Sequence, residues 1–499
     1  MRKIPLEFIS FVIYRYLSWR YPITSQIDGH PIPTVPYQWP NGQGDVAKFL
    51  EGEKNSQSWR AKYGSLYRIW SGTTPEMQVL HLVETHTGTS ADDTRVVTAP
   101  EDIQHLFFDS DKHIKAVNND SGWLMGELLG KCLGLISGES YQKVKAGTAA
   151  HFTQKISTSY LARIQTITDE YFVKLSQEPR LKRHLIDPVE DLKFLPFWIL
   201  VDILYGELTP QLRSQIKGLA VQREELWARM IEGGVSRFSF ARHLPIRLTT
   251  DLQRFKKEWR DFNNSVYEAC VLAQEDTTIV RMYTEVKRGA LGEEEVLQTV
   301  DEMLFANLDV TMGGLSWNLL FLAKYQETQE EIRDELRRAA SSDTTGSRED
   351  YLKRPSTLLA YSILESSRLK PLAAFTVPQS APTPRTIQGF HVPAKTNFII
   401  DTYALNIKNP YWGHDSEEYR PFRFSDKKQY EMRYQFWRFG FGPRQCLGKY
   451  VVDLIIRSSL AYLIENYCLS LADTSNWDKN PTTWILHPKT QIRCEPLRR

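Results

Sequence analysis

Residues 293–325 constrain this chain more than any other stretch, because they read as one helix of about 33 residues, about 50 Å long at 1.5 Å per residue. Its second half, 303–322, is apolar enough that the helix has to cross the centre of whatever the chain builds. The competing reading is two ordinary helices broken at Gly313-Gly314. Most of 140–340 is helical in pattern, punctuated by Pro and Gly, with a charged surface helix at 326–340 and a polar loop at 341–350. Pro100–Phe107 reads as a further helix with an acidic first turn. Strand signals are sparse: short runs at 79–83 and 95–98, and an alternating, Pro- and Gly-containing region at 375–405 that suits a small sheet. The expected fold class is mainly α with a small β region.

A length of 499 residues allows two or three average domains or one large one, and no linker after about residue 45 divides the chain. The expected division is an N-terminal segment, 1–40, and a single large domain, 41–499. Hydrophobic residues make up 41%, charged residues 24%, and the formal net charge is +2, with no concentrated basic surface of the kind nucleic-acid binding needs. The five cysteines (132, 270, 446, 468 and 494) are odd in number, scattered and without a Cys-x-x-Cys pair. They argue against a disulfide framework or zinc knuckle and fit a reducing, intracellular setting. Residues 8–19 are rich in apolar and aromatic side chains, but Arg15 interrupts them and Arg20 follows. They fall short of the roughly 20 apolar residues a bilayer span needs and carry no cleavage site. They suit a helix lying at a membrane interface, or a surface helix packed on the body. Prolines at 22, 31, 33, 36 and 40 then predict a stiff, extended hinge.

The chemistry concentrates in the run Phe439-Gly-Phe-Gly-Pro-Arg-Gln-Cys-Leu-Gly448. Glycines 440, 442 and 448 let the backbone turn N–H groups onto the Cys446 sulfur, some in conformations barred to residues with a Cβ. Arg444 can reach an acidic group on a ligand, and Phe439 can cover one flank of the sulfur. One thiolate in a tight, hydrogen-bonding loop is what axial haem ligation requires; the plainer alternative is a turn around a buried free cysteine. A second fixed point is Glu365-Ser-Ser-Arg368, an i, i+3 ion pair on one helix face, with Pro371 just beyond it. Together these runs resemble the cytochrome P450 family, whose motif order the chain follows from about residue 45 to 495.

The resemblance implies the P450 fold, with the long central helix over one face of haem b and Cys446 on the other as the iron ligand. Arg444, Phe439, Gly442 and Gly448 would surround the cofactor. Glu365 and Arg368 would form a buried triad with Arg423 of Pro421-Phe-Arg423-Phe424, needed for haem retention. Gly138-Glu-Ser-Tyr-Gln-Lys-Val-Lys145, followed by Phe152, is similar to the family's Gly-x-x-Trp-x-x-x-Arg…Phe helix. Tyr141 and Lys145 then stand where Trp and Arg contact the propionates, without the arginine's bidentate fork. Val377-Pro-Gln379 stands where many members have Val-Pro-Arg, leaving His113 as either a substitute propionate partner or a surface histidine. On the long helix, Ala306-Asn-Leu-Asp-Val-Thr311 occupies the place of Ala-Gly-x-Asp/Glu-Thr-Thr. Asp309 aligns with the acid, and Val310 replaces the threonine whose hydroxyl helps deliver protons. Thr311 is turned about 100° away, and Asn307 adds an amide. Asn307, ordered water or a substrate hydroxyl would then position the proton; alternatively Val310 simply packs. The pocket positions implied are Trp123, Leu124, Met303, Asn307, Ala373, Phe375 and Thr483.

The activity implied is a haem-thiolate monooxygenase that oxidises a small, largely apolar substrate with O2. The chain has no Gly-x-Gly-x-x-Gly fingerprint, no second domain and no iron–sulfur cysteine set, so electrons should come from another protein, which the resemblance implies is NADPH-cytochrome P450 reductase. Lys143, Lys145, Lys427, Lys428, Arg433, Arg438 and Lys449 would steer that acidic partner. The setting implied is the cytosolic face of the endoplasmic reticulum membrane. The segments 109–116, 121–137 and 306–317 look like fungal members from secondary-metabolite clusters, those tailoring diketopiperazines or dipeptide-derived compounds coming closest. Two other classes stay open: an isomerase or dehydratase acting on a peroxide, whose relatives carry an insertion that this cysteine loop lacks, and a non-catalytic haem binder.

Overall fold

The structure, a computed structural model, describes residues 5–72, 74–79, 100–115, 122–341, 347–428, 430–473, 477, 479–481 and 483–497. Its axis is the helix Glu293–Lys324, 32 residues without a break. Three glutamates open it at the positive end of the helix dipole, and Glu295 reaches back to accept the Gly292 N–H at 2.9 Å. Lys324 occupies the last turn, and Tyr325 caps it through a bond to the Phe321 carbonyl. Apolar residues are buried all around this helix (Val296, Leu304, Leu308, Met312, Leu315, Leu320), as expected of a core helix rather than an amphipathic one.

Gly313-Gly314 is therefore not a break. Gly313 is a point of close approach: a Cβ there would lie 2.9 Å from Ile485 and 3.1 Å from His487 and Leu372. Helices Phe194–Tyr205, Arg247–Leu272 and Lys449–Asn466 pack into the same core. Pro210–Glu232 is tied to the axis by the buried Arg223–Asp301 pair at 2.9 Å. Burial pushes the Asp301 carboxyl up to about 6 while Arg223 pulls it down.

The β structure is small and drawn from distant parts of the chain. Leu66–Ser71 pairs antiparallel with Thr74–Val79, which pairs parallel with Asn397–Ile399, and Gln379–Ser380 completes this four-stranded sheet. Arg385–Ile387 and Phe390–Val392 form a hairpin, and Leu185–Ile186, Ile492–Pro496 and Tyr467–Leu471 a three-stranded sheet. The small sheet expected at 375–405 is present. Of the run at 79–83 only Val79 is described, and 95–98 lies outside the described residues. Pro100–Phe107 is a helix as read, and the charged helix runs Gln326–Ser341.

The N-terminal forty residues are not a hinge. Ile23, Ile32, Val35 and Tyr37 are buried, and backbone bridges join Ser25 to Phe390 and Thr34 to Arg68. Each proline removes a donor but leaves the neighbouring groups free to pair with a sheet edge. The helix Leu6–Arg20 rests on this strap through Leu17, which packs with Tyr37 and Trp70. Its other side exposes Phe8, Phe11 and Trp19. Among the described residues no helix is long and apolar enough to cross a membrane.

Candidate active site

The cysteine loop lies between the short turn Gly442–Arg444 and the helix Lys449–Asn466. Gly440 and Gly442 have φ of +84° and +69°. Gly442 also has no room for a side chain, since a Cβ would fall 2.2 Å from the Phe107 carbonyl oxygen and 2.5 Å from Ser110 Oγ. Gly448 differs: its φ is −79°, and a Cβ there would meet nothing closer than Val452 at 3.9 Å, so its backbone makes no demand that alanine cannot meet. The Cys446 N–H donates to the Phe439 carbonyl at 2.8 Å and closes the loop. Phe439 itself is half-buried beneath the Arg438 guanidinium.

Cys446 is the one exposed cysteine of the five, and yet burial pushes its thiol up. Protein therefore surrounds a sulfur that still has open surface, as for a side chain facing an interior space. The Gly448 and Lys449 N–H groups aim at that sulfur and pull the pKa back down. A thiol so desolvated becomes a thiolate when a metal cation supplies the missing positive charge.

Cations cluster beside the loop. Arg444 donates to the carbonyls of Ile136 at 2.7 Å and Leu133 at 3.1 Å, and its guanidinium lies 4.0 Å from the Tyr141 ring centre. Tyr141 is buried on the helix Gly138–Thr148, and Lys145, one turn on, reaches the same ring. Lys115, which sequence reasoning passed over inside 109–116, joins them: burial and then the Arg444 charge bring its ammonium down to about 8. Burial likewise lowers Arg444. Glu302 supplies one negative charge to these two desolvated cations, which leaves a net positive charge for an anionic ligand. His113 is fully buried, not a surface histidine; burial lowers its pKa, Asp109 opposes this from 3.4 Å, and neither ring nitrogen has an aligned hydrogen bond. A thiol capped by N–H groups, with underneutralised cations and a phenol alongside, fits an iron porphyrin with acidic substituents.

Behind the loop, Glu365 and Arg368 of the helix Leu358–Leu369 pair in bidentate fashion at 2.7 and 2.9 Å, and Arg423 reaches Glu365 at 3.2 Å. All three are buried. Asp415, not anticipated from the sequence, is the fourth member, 2.7 Å from Arg423 and paired on its other oxygen with the exposed Arg420. The carbonyls of Asn406 and Ser416 take further Arg368 donors, and Trp412 takes one from Arg423.

On the central helix, Asp309 Oδ2 accepts the Trp484 indole N–H at 2.6 Å, and His487 Nε2 lies 2.9 Å from the Asp309 carbonyl. Neither partner was foreseen; the signal was the run Thr483-Trp-Ile-Leu-His487 opposite the double glycine. Val310 is half-buried and Thr311 buried. The Asn307 side chain lies outside the described residues.

Of the expected pocket residues, Met303, Ala373 and Thr483 are half-buried, and Trp123 is nearly buried with its N–H on Glu127. Leu124 and Phe375 have no exposed surface. Phe375 packs between Trp59, Tyr67 and Ile399 and braces the sheet, and Leu124 belongs to the main core, so neither presents a face to open space. Of the basic residues, Arg438 is paired with Asp453 and Lys427 lies over the Tyr411 ring, while Lys143, Lys428 and Arg433 are exposed.

A long axial helix opposite a cysteine in a glycine loop, braced by a buried Glu–Arg network, defines the haem-thiolate class. The family model for cytochrome P450 matches residues 46–495. The chain is similar to the cytochrome P450 monooxygenase aclC of Aspergillus oryzae, at 46% identity over 96% of this chain and 95% of that one. It is also similar to asaD of Aspergillus flavus (42%, covering 97% and 90%) and gliC of Aspergillus fumigatus (37%, covering 98% and 94%), both cytochrome P450 monooxygenases. The chain belongs to the cytochrome P450 family and is a cytochrome P450 monooxygenase.

Proposed function

We propose that the chain oxidises a small, largely apolar intermediate of fungal secondary metabolism, a cyclic dipeptide in the first instance, with O2 and electrons from NADPH-cytochrome P450 reductase. The observation that carries this reading is Cys446: open surface on a desolvated sulfur, capped by two N–H groups. The cofactor proposed is haem b, held by Cys446 on the iron and by Arg444, Lys115, Lys145 and Tyr141 at its acidic edge. When bound it supplies O2 activation. The chain's own residues bind, orient and handle protons. Asp309 is the acid nearest Val310, and Trp484 fixes its carboxylate in one orientation. Asn307 and Thr311 remain the sequence candidates for completing that route, with bound water or a substrate hydroxyl in place of the missing threonine.

The exposed face of Leu6–Arg20 supports contact with a membrane surface, and we place the protein on the cytosolic face of the endoplasmic reticulum. The division into 1–40 and a single domain from 41 goes with this reading, the first part acting as a strap whose helical end keeps an exposed apolar face. The test is reconstitution with reductase and NADPH on cyclic dipeptides, with products read by mass spectrometry. The parent protein is expected to give the far-shifted Soret band of thiolate ligation in its reduced CO complex, and Cys446→Ser to lose both band and product. Turnover with hydroperoxide but never with NADPH and reductase would favour the peroxide isomerase instead.

A further inference from the structure

The carboxylate of Asp309 is held by one oxygen only. Oδ2 accepts the Trp484 indole N–H at 2.6 Å, while Oδ1 has no protein partner among the described residues and keeps open surface. This pairing differs from the other indole bonds of the chain. Trp259, Trp317 and Trp412 donate to backbone carbonyls, and Trp123 donates to Glu127, one turn along its own helix. Among the described residues only the Trp484 indole reaches a carboxylate on another element.

Docking of the segment 484–487 on the central helix does not need that bond. His487 donates from Nε2 to the Asp309 carbonyl at 2.9 Å. The Leu486 N–H bonds to the Leu372 carbonyl, and the Leu486 carbonyl accepts the Trp317 indole, both at 2.8 Å. With the backbone fixed by these groups, the Trp484 bond acts on the direction of the carboxylate alone. Trp484 is itself gripped, its ring 5.1 Å from that of Trp227 and edge-on to Phe49 at 6.4 Å. The Arg223 guanidinium lies 4.7 Å from the Trp227 ring centre and pairs with Asp301 at 2.9 Å. The contacts thus run from Asp309 through Trp484, Trp227 and Arg223 back to Asp301, about 12 Å earlier on the same helix at 1.5 Å per residue.

We propose that Trp484 is a positioning residue for proton delivery: its indole N–H occupies Oδ2 and leaves Oδ1 as the atom that holds and passes the Asp309 proton. An indole N–H only donates, so Oδ2 stays an acceptor and the proton of the acid form sits on Oδ1. A short, charge-assisted bond also holds the carboxylate against rotation, which would otherwise present either oxygen in varying directions. General acid work needs the donor within hydrogen-bond reach along one line. The inference rests on the proton role given to Asp309 above, and adds which oxygen serves and what fixes it.

The test uses haem-loaded full-length protein with reductase. NADPH oxidation is followed in water and heavy water, with and without cyclo(L-Phe-L-Phe), so that the outcome does not depend on that compound being the substrate. Trp484→Phe keeps an aromatic ring between Trp227 and Phe49 but has no N–H. It is expected to slow oxidation roughly tenfold, the range of one hydrogen bond to a charged group, and to enlarge the solvent isotope effect. The reduced CO complex should keep its thiolate signature. Trp484→His, which can donate from a ring nitrogen, is expected to recover part of the rate, and it decides the matter should Trp484→Phe not take up haem. A second readout is independent of turnover. In NMR spectra of the tryptophan-labelled CO complex, one of the thirteen indole signals is expected far downfield, absent from Trp484→Phe and moved upfield in Asp309→Asn.

The proposal is overturned if Trp484→Phe keeps the parent's rate, or slows oxidation without changing the isotope effect. It is overturned equally if Trp484→His is as slow as Asp309→Ala, or if no indole signal responds to Asp309→Asn. An Asp309→Ala variant that matches the parent removes the proton role of Asp309 itself, and a parent protein without the thiolate signature overturns the haem-thiolate reading instead.

Discussion

At the scale of single residues, the cysteine loop separates glycines that the backbone requires from one that it does not. Gly442→Ala combines a positive φ with a Cβ set into the Phe107 carbonyl, and should lower haem content severely and cost about 2–4 kcal/mol in chemical denaturation. Gly448→Ala should retain haem and the thiolate signature. The sequence shows three glycines alike; only the packing of Phe107 and Ser110 tells them apart. Lys115 makes a pH prediction. Its folded pKa of about 8 lies below the ordinary lysine value, so its charge penalises the haem-free protein below that pH. The penalty fades as pH rises from about 8 towards the unfolded value, because the unfolded chain then binds the extra proton. The melting-temperature gap between Lys115→Met and the parent, both haem-free, is therefore expected to narrow between pH 7 and pH 9.5, and a gap that stays constant refutes this. Val310→Thr should raise the share of NADPH recovered as product if the native proton route is deficient, and leave it unchanged if Trp484-bound Asp309 already serves.

At the scale of elements, the central helix was legible almost to the residue, because sustained apolar character and length are local properties. The double glycine was not. On propensity alone, two glycines cost a helix about 2 kcal/mol, which invites a break. What they permit is the approach of Leu372, Ile485 and His487, residues that sequence distance hides. The two positions should respond oppositely. Gly313→Ala must displace packed side chains and is expected to destabilise by about 1–3 kcal/mol while loosening the His487 contact with Asp309. Gly314→Ala meets only Ile456 at 3.6 Å and Leu372 at 4.0 Å and should be neutral or stabilising by up to about 1 kcal/mol, both read by urea unfolding.

For the molecule as a whole, the motif order from about 45 to 495 could be read directly, but the strap could not, since Ile23, Ile32 and Val35 look exposed until the edges at Arg68 and at the distant Phe390 are supplied. Asp415 was missed for the same reason: its partners are set by folding, not spacing. The Glu365–Arg368–Arg423–Asp415 network spans the helix Leu358–Leu369 and the segment before the cysteine loop, and Arg423→Leu leaves the buried Glu365 and Asp415 with one buried guanidinium, Arg368, and otherwise only the exposed Arg420. The expected cost is about 3–5 kcal/mol, seen as loss of haem on purification rather than as a changed substrate preference. The four-stranded sheet takes one half, an edge strand and its inner neighbour, from residues 66–79 and the other half from 379–399, while the sulfur loop follows at 439–448. A growing polypeptide on the ribosome therefore holds an unpaired β-hairpin through some three hundred residues of translation. Haem capture has to wait until synthesis is nearly complete, so nascent chains stalled before residue 440 should remain colourless and lean on chaperones.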